Sequence, residues 1–104
     1  MGKNSFKVEY SETFKRDIEN VFKYIVNELQ NEIAAENLLQ LVEKEIIKRS
    51  YNPKGYKSFK LSDKERYIWY KIKINNYFAF YTVENNIMVM RRFIYSRRNF
   101  NCLI

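Results

Sequence analysis

Residues 66–98 read RYIWYKIKINNYFAFYTVENNIMVMRRFIYSRR, and their punctuation decides the fold. Ile68, Tyr70, Ile72 and Ile74 alternate with Trp69, Lys71 and Lys73, which predicts a strand with an apolar side and a basic side. Asn75-Asn76 then supports a two-residue hairpin turn, because asparagine tolerates positive φ. Residues 77–83, YFAFYTV, are apolar or aromatic on both faces and suit a central strand. Asn85-Asn86 turns the chain again into IMVMRRFIY. The pattern predicts a three-stranded antiparallel meander that closes on arginines around Tyr95.

Working outward from the meander, Phe6, Val8 and Tyr10 alternate with Lys7 and Glu9, a short strand with one buried face. Ser11 offers an N-cap and Glu12 a negative charge in the first helical turn. Phe14, Ile18, Val21, Phe22, Ile25 and Leu29 then form one apolar helical stripe. The register breaks near Asn31, which caps a second stripe of Ala35, Leu38, Leu39, Val42 and Ile46. So short a connection makes the helices antiparallel neighbours. Asn52-Pro53-Lys54-Gly55 forbids continuation past Arg49-Ser50. Residues 50–65 lack clean periodicity and interleave Lys54, Lys57, Lys60 and Lys64 with Tyr51, Tyr56 and Phe59. Those lysines serve equally well as phosphate contacts or as a solvated face.

The expected architecture is α+β. An N-terminal strand and an antiparallel helical hairpin pack on a small, mainly antiparallel sheet, completed by the C-terminal meander. A chain of 104 residues carries one core, so residues 1–104 are expected to form one domain. Its net charge of +7 is segregated: residues 1–47 hold six basic against nine acidic side chains, and residues 48–104 hold thirteen against three. Such segregation suggests a basic face suited to a polyanion or an acidic protein. A single cysteine, Cys102, and the lack of a secretory signal or a membrane-length apolar run point to the cytoplasm and away from a membrane.

The residue types exclude much chemistry. Without histidine, neither Ser-His-Asp nor Cys-His catalysis is available, and one cysteine builds no ordinary zinc site. Two glycines make no phosphate loop. No metal or cofactor is therefore expected. What remains is Arg91, Arg92, Arg97 and Arg98 around Tyr95, with Lys71 and Lys73 on a nearby strand. Guanidinium groups hold phosphate bidentately at any working pH. The cluster could bind nucleic-acid backbone, or stabilise the phosphorane formed when a ribose 2′-hydroxyl attacks its own phosphate. Tyr95 suits proton donation or base stacking better than base catalysis, since a phenol ionises only near pH 10. Arginines on an edge strand also guard against aggregation, without any further role.

The order of elements resembles the RelE/ParE family of bacterial type II toxins. The resemblance rests on the strand ending Tyr10-Ser11, Ala34-Ala35 opening the second helix, Pro53, KIKINNYFAFY at 71–81 and RFIYSRRN at 92–99. It implies a growth-arresting toxin associated with plasmid stabilisation and neutralised by a cognate acidic antitoxin. Members divide between ribosome-dependent, metal-independent mRNA cleavage and inhibition of DNA gyrase. On the nuclease reading, which the terminal Tyr-Arg cluster favours, Tyr95, Arg92 and Lys73 are the catalytic groups. Arg91, Arg97, Arg98, Lys71, Lys54 and Lys57 then bind nucleic acid, and the partners are ribosome and mRNA. The long helical hairpin looks more like the gyrase-directed branch. Phe78 stands where many members carry arginine, and Tyr95 where many carry histidine. A non-toxic nucleic-acid-binding module is the remaining alternative.

Overall fold

The computed structural model describes residues 4–97, so the expectations for Arg98 and Cys102 fall outside the described residues. The elements are β1 (Lys7–Tyr10), α1 (Glu12–Asn27), α2 (Glu32–Arg49), β2 (Trp69–Ile74), β3 (Tyr77–Glu84) and β4 (Ile87–Tyr95). The sheet order is β1-β4-β3-β2. The last three strands are the expected meander, and β1 lies parallel to β4 from Lys7 opposite Ile87 to Tyr10 opposite Met90. No helix among the described residues is long and apolar enough to cross a membrane.

Local chemistry sets each boundary. Ser11 accepts the Phe14 N–H at 3.0 Å and Asn31 accepts the Ala34 N–H at 3.0 Å, so both expected caps form. Between the helices, Gln30 takes φ 51°, and the Asn31 N–H reaches back to the Ile25 carbonyl at 3.1 Å. That closure normally uses glycine. Asn75 and Asn85 hold φ 52° and 58° at the two hairpin turns.

Both helices cover one face of the sheet. Phe14 and Ile25 of α1 and Leu38, Val42 and Ile46 of α2 meet Ile72, Ile74, Tyr81, Met88, Met90 and Phe93 in the main core. The second face is not bare. Trp69, Phe80 and Ile94 are buried there beneath Phe59, Leu61 and Tyr67. The segment between α2 and β2 is thus a strap, pinned where Phe59 and Trp69 exchange backbone hydrogen bonds of 2.9 Å each. This corrects the simple two-sided reading of β2: Trp69 sits on the side of Lys71 and Lys73 yet is buried by the strap, and Ile68 precedes the strand and is exposed.

Tyr81 fastens strap, helix and sheet together. Its hydroxyl donates to the Pro53 carbonyl at 2.7 Å and accepts from Arg49 Nη1 at 2.7 Å. The Arg49 guanidinium lies 3.5 Å from the Tyr56 ring centroid, and Tyr70 stacks on Tyr81 at 5.2 Å. Tyr81→Phe leaves a buried carbonyl unmet and should lose about 1–3 kcal/mol in urea denaturation. Burial pushes the Tyr81 phenol above its usual pKa, partly offset by Arg49. The fold therefore favours the neutral phenol, and this contribution is full below about pH 10, where the unfolded tyrosine ionises, and lost above it. Wild-type urea midpoints should fall between pH 9 and 11, and those of Tyr81→Phe should fall less.

Candidate functional site

The arginine pair of β4 is split by the strand itself. Phe80 faces Arg92 and Tyr81 faces Met90, so Arg91 is an extra residue, a bulge in the ladder. The Ser11 hydroxyl donates to the Arg91 carbonyl at 3.1 Å and holds the bulge against the start of α1. The two guanidinium groups then diverge. Arg91 donates to Thr82 Oγ1 at 3.0 Å and Glu84 Oε2 at 2.7 Å, and lies 4.9 Å from the Tyr67 ring centroid. Arg92 turns to α1, donating to Asp17 at 2.7 and 3.3 Å. Asp17 also accepts the Phe93 N–H at 2.9 Å, with its side chain only 14% exposed.

The remaining candidates do not converge. After the bulge, Phe93 packs in the core on the helix side, so Tyr95, two residues on, projects to that side. Its ring meets Tyr77 edge-on at 5.7 Å, and Tyr77 stacks on Phe93 at 4.9 Å. Lys71 and Lys73 project to the opposite face, with their Nζ atoms 4.6 and 5.7 Å from the Phe78 ring centroid. The expected trio of Tyr95, Arg92 and Lys73 is therefore divided: Tyr95 and Lys73 have the sheet between them, and Arg92 is engaged by Asp17. Lys54 and Lys57 are exposed in the first half of the strap, and Arg97 is exposed beyond β4. Among the described residues no acidic cluster is arranged to hold a metal ion.

Sequence reasoning passed over Asp17, Thr82 and Glu84, the groups that engage the arginines. A signal for Asp17 existed: it lies three residues after Phe14 and beside Ile18, a carboxylate at the edge of an apolar stripe. A second feature was also unforeseen. α1 stands away from the end of β4, leaving a cleft of about 730 Å³ whose walls include Val21, Tyr24, Leu29, Tyr77 and Tyr95. Burial, then the neighbouring Tyr95 and Tyr24, push the Tyr77 phenol above its usual pKa. Tyr77 stays neutral at working pH, able to donate a hydrogen bond and unfit to remove a proton.

Arg92→Ala leaves the Asp17 carboxylate with only the Phe93 N–H. Its cost should be about 2–3 kcal/mol, below the roughly 3–5 of a fully buried pair, while Tyr95→Phe should stay within about 0.5 kcal/mol of wild type. Urea denaturation of the two variants distinguishes a stabilising arginine from a catalytic one.

Comparison with known proteins gives the geometry a context. The family model for the ParE toxin of the type II toxin–antitoxin system ParDE matches residues 8–100. Among solved structures, a chain of the chromosomal ParDE system from P. aeruginosa superposes with a TM-score of 0.67 at 11% identity, covering 88% of this chain and 96% of that one. No curated protein sequence matches the chain.

Proposed function

This chain belongs to the ParE toxin family of type II toxin–antitoxin systems, and from that premise we propose that it arrests growth by binding and inhibiting DNA gyrase, not by cutting mRNA. The observation that carries the reading is the placement of Tyr95 and Lys73 on opposite faces of the sheet. Metal-independent RNA cleavage needs its proton donor and the cation that stabilises the developing charge within about 3 Å of one phosphate, Tyr95 and Lys73 in those roles here. A sheet between the two groups denies them a shared substrate. The arginines add to the same argument: Arg91 and Arg92 engage Glu84 and Asp17, so neither presents a bare fork to phosphate.

On this reading the cationic side chains grip a protein. Lys71 and Lys73 flank Phe78 on the strap side of the sheet, and Lys54 and Lys57 extend the positive surface along the strap. Such a surface steers association with an acidic partner and weakens as salt rises. The cognate antitoxin is the partner that restrains the toxin.

Purified toxin should inhibit gyrase supercoiling in proportion to its molar ratio to the enzyme, and arrested cells should show a DNA-damage response with intact messages. The double charge reversal Lys71→Glu/Lys73→Glu should weaken inhibition at least about tenfold, because both side chains are solvent-facing and like charge would now meet like. Translation-dependent new mRNA 5′ ends inside reading frames, with gyrase fully active, would overturn the proposal.

A further inference from the structure

We infer that the outer side of the strap, residues 50–68, holds the phosphate backbone of duplex DNA without regard to sequence. Gyrase need not be the target for this: in the gyrase reading the strap lysines only extend the patch around Lys71 and Lys73. The strap carries Lys54, Lys57, Lys60, Lys64 and Arg66 against Asp63 and Glu65. All four lysines are exposed, and among the described residues none has a carboxylate within ion-pair distance. Glu65 is turned back on its own backbone, where it accepts the Tyr67 N–H at 3.2 Å.

The backbone beneath these charges is fixed. Lys54 lies in a turn closed by the Gly55 N–H on the Asn52 carbonyl at 3.1 Å, and the carbonyl of Pro53 before it is held by Tyr81. Lys60 follows Phe59, which is paired with Trp69. Lys64 lies in a second turn, closed by the Glu65 N–H on the Ser62 carbonyl at 3.1 Å. A segment ordered before it binds loses less entropy on binding, so its lysines hold a ligand better than the same charges on a mobile chain.

What the strap keeps inside decides what it can hold outside. Phe59, Leu61 and Tyr67 pack inward on Trp69, Phe80 and Ile94, and Tyr56 lies against Arg49. The exposed Tyr51 and Ile68 stand at the two ends of the strap in the chain. The lysine row therefore lacks the central apolar anchors of a protein interface, where lysine is in any case depleted. It equally lacks a row of open rings on which the unpaired bases of single-stranded RNA would stack. Ammonium groups without either suit the regular phosphates of a duplex. They act as point charges on the backbone and read no base edge, so one sequence serves as well as another.

Fluorescence anisotropy tests this with the toxin alone and two labelled duplexes of about 20 base pairs and unrelated sequence. Both should bind alike. Four phosphate contacts predict a log–log slope of affinity on salt of about −3 to −4, roughly a hundredfold loss between 50 and 200 mM. The variant Lys54→Gln/Lys57→Gln/Lys60→Gln/Lys64→Gln should bind at least about tenfold more weakly, with a slope no steeper than about −1. The variant Lys7→Gln/Lys15→Gln/Lys23→Gln/Lys44→Gln removes the same charge from outside the strap and should stay within about twofold of wild type. Thermal melting checks that both fold. Single Lys→Gln changes in the strap should each take about 0.9 off the slope, which keeps the test if the quadruple variant does not fold. Equal loss in the two quadruple variants makes net charge the whole cause and overturns the inference, as does a wild type that leaves both duplexes unbound at the lowest salt. Binding tenfold tighter to single-stranded RNA of the same length assigns the strap to RNA. Gyrase inhibition lost in the strap variant, when wild type binds no DNA, assigns it to a protein. Either result overturns the inference. Gyrase is absent from the anisotropy measurement, so failure of the gyrase reading leaves its outcome untouched.

Discussion

The carboxylate of Asp17 is the point on which the arrangement of this protein turns. It takes two hydrogen bonds from Arg92 and one from the Phe93 backbone, and so joins the first turns of α1 to the strand beyond the bulge. Charge-assisted bonds of this kind are roughly twice as strong as neutral ones, and stronger where water is partly excluded. Because the acceptor sits on α1 and the donors on β4, the contact sets where the helical hairpin lies over the sheet. It also draws Arg92 toward α1 and takes the Phe93 N–H on the side of β4 away from β3. A single side chain thereby links the packing of the core to the character of the site.

The bulge at Arg91 acts with it. One extra residue lets Met90 and Phe93 both face the core, although they are three positions apart in the chain. The two arginines that are neighbours in sequence consequently serve different sides: Arg91 closes on Thr82 and Glu84, and Arg92 on Asp17. Tyr95 follows Phe93 to the helix side, where it joins Tyr24 and Tyr77 around the cleft. A cluster that looks contiguous when written as RRFIY, residues 91–95, becomes, once pleated, a set of separate contacts. That division favours binding over catalysis, since chemistry requires groups to converge on one atom.

The strap gives the second half of the chain its charge distribution. Its aromatic and aliphatic side chains, Phe59, Leu61 and Tyr67, bury Trp69, Phe80 and Ile94, and its lysines remain outside. Lysine stems and aromatic faces combine here, as in the approach of Lys71 to both Phe59 and Phe78. The helical hairpin carries most of the acidic residues on the far side of the sheet. A charge separation along the sequence thus becomes one across the molecule, with the strap's lysines, Lys71 and Lys73 on one face and most carboxylates on the other.

The sequence by itself determined the elements, their order and their ends. Alternation marked the meander, a 3.6-residue period marked the helices, and Ser11, Asn31, Asn75 and Asn85 marked the boundaries; each of these is a local preference acting over a few residues. The family resemblance was legible for the same reason, because it is a pattern of such elements in order. Partnerships at long range were not legible. Asp17 and Arg92 are 75 residues apart, and nothing near either one specifies the other. The bulge was equally hidden, since RR reads as two ordinary strand positions until the register with β3 is known. Whether Tyr95 and Lys73 share a face depends on that register and on no property of either residue. Tertiary structure alone decided it, because side-chain direction in a sheet follows pleat and pairing and shifts with every inserted residue.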